Sequence, residues 1–195
     1  TDAIETRNHV SNDRHSSGTA GATDLAALLL SSVERFNAHR ASYPDHPVVL
    51  ADCELARASL QGADLRDAVL SGANLAFALL DRADLRGADL RRCRMEGASL
   101  VDARLDDACM EHANLRSATL HRASLRRVQL LGGTFQGADL RSAVLDGAML
   151  RRVSFCDADL RGATFKDADF REVDLRWAQC SLDAIESDLS GARIR

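Results

Sequence analysis

From Leu50 to Cys180 an apolar residue recurs at every fifth position without a slip, and neither regular element of protein structure has that period. The series has 27 positions, filled by 20 Leu, 4 Phe, 2 Met and 1 Cys. Two residues ahead of each lies a second series, from Val48 to Ala178, made of 20 Ala, 4 Val, 2 Cys and 1 Gly. In a chain that is 46% hydrophobic, an unbroken run of that length arises by chance on the order of once in a billion. On an α-helix, at about 100° per residue, a five-residue step advances about 140° and smears the leucines round the cylinder. On a flat strand the same step sends alternate leucines to opposite faces. The chain must therefore turn once per repeat, with the Leu and the small residue two before it both pointing inward. Eight glycines (62, 72, 87, 97, 132, 137, 147, 162) fall two residues after a central apolar residue, where a tight corner needs the positive φ that Gly tolerates.

The pattern Ala-(Asp/Asn)-Leu-x-x, as in Ala63-Asp64-Leu65-Arg66, resembles the pentapeptide-repeat family over residues 48–181. The resemblance implies an all-β solenoid, a right-handed quadrilateral β-helix in which four repeats complete each coil. On that geometry the 27 repeats make about seven coils stacked at about 4.8 Å, a rod roughly 33 Å long. A narrow axis explains why aromatic content is only 4%. Phe135 and Phe155 are expected to stack on consecutive coils, which adds about 0.5–1.5 kcal/mol beyond area burial.

A solenoid has two raw ends that must be covered. Residues 23–47 read as an N-terminal capping helix and linker: over residues 24–40, Leu25, Leu28, Leu29, Ser32, Val33 and Phe36 form one face and Thr23 or Asp24 caps the start. Tyr43-Pro44-Asp45-His46-Pro47 stops the helix. The polar stretch 1–22 reads as a disordered tail. Residues 182–195 read as a C-terminal cap: Asp183 breaks the small apolar series, and Leu182, Ile185 and Leu189 fall at helical spacing. Trp177 lies outward by register and is expected beneath that cap, the alternative being a binding hot spot.

With 25 Lys plus Arg against 29 Asp plus Glu, the formal charge is −4, which argues against direct nucleic-acid binding. No apolar run approaches the length of a membrane span, so a cytoplasmic protein is expected, and the resemblance implies a bacterial one. The five cysteines (53, 93, 109, 156, 180) form no Cys-x-x-Cys pair and read as reduced, isolated thiols, with Cys109 and Cys156 facing outward. There is no glycine-rich phosphate loop and no His-Glu-x-x-His. His112 beside Glu111 and Cys109 lacks further ligands for a stable metal site. The expectation is therefore no catalytic residue, no cofactor and no metal. Seven Asp-(Leu/Phe)-Arg segments (64–66, 84–86, 89–91, 139–141, 159–161, 169–171, 174–176) place opposite charges on the same outer wall, worth about 0–1 kcal/mol each where exposed.

What remains is a rigid surface with variable side chains, and the first functional expectation is a non-enzymatic scaffold for a protein partner. A second follows from the resemblance: some bacterial members resemble DNA, bind DNA gyrase and confer quinolone or toxin resistance. A third is a structural or targeting domain of a longer protein, and an end of the solenoid is an expected site of homo-oligomer contact. The candidate partner surface is an acidic zone of Glu96, Asp102, Asp106, Asp107 and Glu111, followed by a basic stretch of Arg116, Arg122, Arg126 and Arg127, together with Trp177.

Overall fold

A computed structural model describes residues 20–180 and 190–194. Of the tail read over 1–22, residues 1–19 lie outside the described residues, as does the helical spacing of Leu182, Ile185 and Leu189, whereas Ala20, Gly21 and Ala22 are helical and not part of a disordered tail. Two helices come first, α1 (Ala20–Ser31) and α2 (Val33–Ser42).

From Val49 on, the chain pairs with itself at a fixed interval of 20 residues through isolated parallel bridges, from Val49↔Val69 to Asp159↔Gln179. Each bridge is one residue long because the chain turns after every pentad. Around Val69 the pattern is typical: Leu50 N–H donates to the Val69 carbonyl at 2.7 Å, and Val69 N–H donates to the Val48 carbonyl at 2.8 Å. Four pentads fill one interval, so the outward residues define four faces. Face 1 carries Val49 and every twentieth residue after it, face 2 begins at Glu54, face 3 at Ser59 and face 4 at Asp64.

The two inward series form the core. From Leu60 through Leu150 every central Leu, Met or Phe is 0% exposed, and no polar or charged residue is buried among the described residues. Phe135 and Phe155 stack with ring centroids 5.2 Å apart, and Phe165 meets Phe170 edge-on at 5.0 Å. Offset and edge-on contacts of this kind suit the ring quadrupole.

The single helix read over 24–40 is two. Ser32 leaves the helical region at φ −166°, ψ 120°, and its hydroxyl accepts from Arg35 N–H at 3.2 Å while donating to Glu34 at 2.8 Å. Its own N–H still closes α1 on the Leu28 carbonyl at 3.0 Å. One serine therefore ends one helix and caps the next, as a hydroxyl free to compete for backbone donors does. Thr23 and Asp24 lie inside α1 and do not cap it. Leu29 and Phe36, at 1% and 0% exposure, join the solenoid core. Asn37 fixes α2 to the first coil by donating to the Gly62 carbonyl at 2.9 Å and accepting from Asp64 N–H at 2.8 Å. Arg40 donates to the Arg66 carbonyl at 2.7 Å.

At the other end the repeat resumes where a separate cap was expected. Arg193 bridges Asp174 in parallel, with Leu175 N–H on the Arg193 carbonyl at 2.7 Å and Arg193 N–H on the Val173 carbonyl at 2.8 Å. This last bridge spans 19 residues in place of 20.

Candidate interaction surface

The surface is built from the corners. At each one, the N–H after the corner donates to the central carbonyl before it, as Ala63 does to Leu60 at 3.1 Å, and the second corner residue has positive φ. That holds whether the residue is Gly62 at 68°, Phe77 at 58° or Trp177 at 59°. The turns are thus type II in character, and the fold imposes αL geometry on Arg, Asp and aromatic residues at a cost of roughly 1–2 kcal/mol each.

The first corner residue has an N–H with no coil partner, and the Asp two positions earlier supplies one. Arg66 N–H reaches Asp64 Oδ1 at 3.4 Å and Arg91 N–H reaches Asp89 at 3.1 Å. The same carboxylate then holds the Arg guanidinium by two bonds, 2.8 and 2.6 Å in the case of Asp139 and Arg141. All seven Asp-(Leu/Phe)-Arg segments form such pairs. Hydrogen bonding from Arg171 holds the Asp169 carboxyl down to about 2. Elsewhere a corner Asp of the coil below takes over: Asp81 accepts from Val101 N–H at 3.0 Å and from the Ser99 hydroxyl at 2.5 Å.

The expected charged zones do not form one surface. Glu96, Asp102, Asp106, Asp107 and Glu111 occupy successive corners around the rod, and the basic residues stack on them one coil later. Arg122 pairs with Asp102 at 2.7 Å and Arg127 with Asp107 at 2.6 Å. Arg126 N–H donates to Asp106 at 3.0 Å, and the Ser124 hydroxyl also donates to that carboxylate. Glu96 lies below Arg116 without an ion pair between them, and Glu111 makes none either among the described residues. A 20-residue period converts neighbouring blocks of opposite charge into vertical pairs. Counted over residues 49–180, each face with its following corner carries five acids and five bases on face 1, four and four on faces 2 and 3, and seven and six on face 4.

Trp177 is 67% exposed, not covered as expected, with the Arg176 guanidinium 5.5 Å from its ring centroid. Phe77, which sequence reasoning passed over, is 50% exposed on the same corner column and carries Arg57 at 5.3 Å. Leu79 beside it is 40% exposed. Their register, two and four residues after a central Leu, was the signal available.

Cys156 is buried, a correction to its outward assignment. It sits on the corner directly below Arg176, whose guanidinium folds back to Asp174. Burial raises the Cys156 and Cys180 thiols and pushes Cys93, which donates to the Leu70 carbonyl at 2.9 Å, up to about 12. These thiols are protonated at neutral pH and poor nucleophiles. Among the described residues no three His, Cys, Asp or Glu side chains converge as metal ligands, and no helix is long and apolar enough to cross a membrane.

A family model described as pentapeptide repeats matches in eight copies, over residues 49–87, 78–116, 111–141 and 138–176. Among solved structures, HetL, a pentapeptide repeat protein involved in heterocyst differentiation regulation from the cyanobacterium Nostoc sp. PCC 7120, is 32% identical, with 75% of this chain and 72% of HetL covered and a TM-score of 0.40. A trypsin-treated variant of QnrB1, a plasmid-mediated fluoroquinolone resistance protein, is 22% identical over 74% of this chain and 80% of its own, with a TM-score of 0.53. A pentapeptide repeat protein from the Arabidopsis thaliana thylakoid lumen is 30% identical over 46% of this chain and 66% of its own, with a TM-score of 0.41. No curated protein matches the chain.

Proposed function

Because the chain belongs to the pentapeptide-repeat family of right-handed β-helices, we propose that it is a non-enzymatic scaffold that binds a protein partner, with about seven coils closed at the first by α1 and α2. The observation that carries this reading is the division of labour between positions. Among the described residues every buried side chain is apolar, so most outward positions have no part in the core and are free to be chosen for recognition. On that outer surface, exposed aromatics stand with arginines at Phe77–Arg57 and Trp177–Arg176, the composition that dominates binding energy at protein interfaces.

The gyrase-binding, DNA-like reading draws its support from the fold shared with QnrB1. Duplex DNA presents one negative charge per roughly 1.7 Å of axis, whereas over residues 49–180 acids and bases balance to within one charge on each face of this rod. The scaffold reading is therefore favoured. An affinity pull-down from the source cell with the immobilised full chain tests it, the expected result being a discrete protein partner. Recovery of none would sink it. A supercoiling assay with gyrase and a quinolone tests the alternative, and no protection is expected.

A further inference from the structure

Of the solenoid's arginines, most are held by a carboxylate within the same coil or the next. Arg57 lies on Phe77 and Arg126 on the Ser124 hydroxyl. Arg82, Arg92, Arg94 and Arg116 make no ion pair among the described residues, and three of these four share one location. Arg94 is the outward residue of face 2 at mid-height, Arg92 stands at the corner before it, and Arg116 stands one coil up at the corner after it. All three are exposed.

The cause is visible in the residue order. In Asp-x-Arg the face residue is a carboxylate that accepts the corner N–H and then grips the guanidinium. Arg94-Met95-Glu96 reverses that order. Arginine cannot accept an N–H, so nothing anchors the pair, and neither Arg94 nor Arg116 reaches Glu96. Asn114, above Arg94, uses its carbonyl oxygen on Arg116 N–H at 3.2 Å. Phe77 lies on the same corner column, one coil below Glu96 and Gly97 and two coils below Arg116.

We infer that this part of face 2 is a docking surface for an acidic segment of a protein partner, with Arg92, Arg94 and Arg116 receiving its carboxylates and Phe77 an adjoining apolar side chain. The inference rests on the scaffold reading and assigns it a surface. Charge complementarity selects the occupant: unpaired guanidiniums suit bidentate carboxylate recognition. A polynucleotide would need a longer basic track, and here acids stand at both ends of the face, at Glu54 and Asp174.

The test is fluorescence anisotropy at low salt, using the full chain and a fluorescein-labelled peptide of alternating Glu and Ala. The same peptide with Gln for Glu and a labelled single-stranded DNA of similar charge serve as comparisons. R94Q/R116Q should weaken binding of the Glu peptide about tenfold. R82Q/R126Q, with the same net charge, should change it little, and Glu96→Gln should tighten it by removing the competing carboxylate. Equal losses in the two double variants, equal binding of the Gln peptide, or tighter binding of the DNA would each overturn the proposal. In the pull-down, a partner retained equally by wild type and R94Q/R116Q would overturn this surface while leaving the scaffold reading standing.

Discussion

The ring of Phe77 lies across Gly97, one coil above it, so closely that a Cβ built on Gly97 would come within 2.5 Å of the ring Cε1. The same relation recurs along the corners: Asp52 leans over Gly72, His112 over Gly132 and Arg127 over Gly147. Positive φ is common to every corner, so Gly is selected at these points by the side chain beneath it. Gly97→Ala should therefore cost about 1 kcal/mol more than Gly62→Ala, which meets nothing within 4 Å and pays only the αL penalty. Thermal melts of both variants, and of Gly97→Ala combined with Phe77→Ala, check this. The double variant should lose the excess.

Core capacity gives the second prediction. Ala113 is 1% exposed in the narrow inward series, and Arg116 projects into solvent on the same coil. Ala113→Leu should destabilise by about 1–3 kcal/mol or more through overpacking, and Arg116→Leu should be nearly neutral in stability. Similar melting temperatures would refute the inward assignment.

Acid should destabilise the rod by a defined route. The Asp169 carboxyl is held down to about 2 from 3.8 by hydrogen bonds from Arg171 at 2.8 and 2.5 Å, and Asp139, Asp159 and Asp174 shift the same way for the same reason. A folded value below the unfolded one means that the stabilisation is present above about 4 and is lost as pH falls through about 2. Melting temperature measured from pH 6 to pH 2 should fall in that lower window. Asp169→Asn should show a smaller fall, and added salt should flatten the dependence because the pairs are exposed.

The contact between α2 and the first coil yields the fourth. Asn37 serves both a carbonyl and an N–H of that coil, so Asn37→Ala should cost about 1–3 kcal/mol by stranding a part-buried backbone group. Deleting residues 1–42 removes Leu29 and Phe36 from the core and bares the edge of the Leu50–Leu65 coil. Light scattering should then report aggregates or end-to-end oligomers with retained β signal. A soluble monomer would overturn the capping role of α1 and α2.

Local chemistry was legible in the sequence because it is complete within one pentad. The inward Leu and Ala series, the turn after each, and all seven Asp-x-Arg pairs involve residues no more than two positions apart. Ser32 was misread because a serine fits both a helix face and a cap, and the choice shows only in its extended backbone and its bond to Arg35 N–H. The segment Leu189-Ser190-Gly191-Ala192-Arg193-Ile194 repeats the order of Leu60-Gln61-Gly62-Ala63-Asp64-Leu65. It was missed because Ile194 arrives one residue ahead of frame, and its bridge to the 174 position becomes apparent only once the chain has come round.

The five-residue period by itself determined which side chains are buried and that the chain must bend at every repeat. What stands above what was decided by the closure of four pentads into one coil. That closure places Arg122 on Asp102, Arg127 on Asp107 and the Phe77 ring on Gly97, at a separation of 20 residues for which no local preference exists. It also dissolved an acidic block and a basic block into paired columns and left Arg92, Arg94 and Arg116 near one another with no ion pair among the described residues. Charge at a surface depends on through-space neighbours, and in a solenoid those are set by the number of sides.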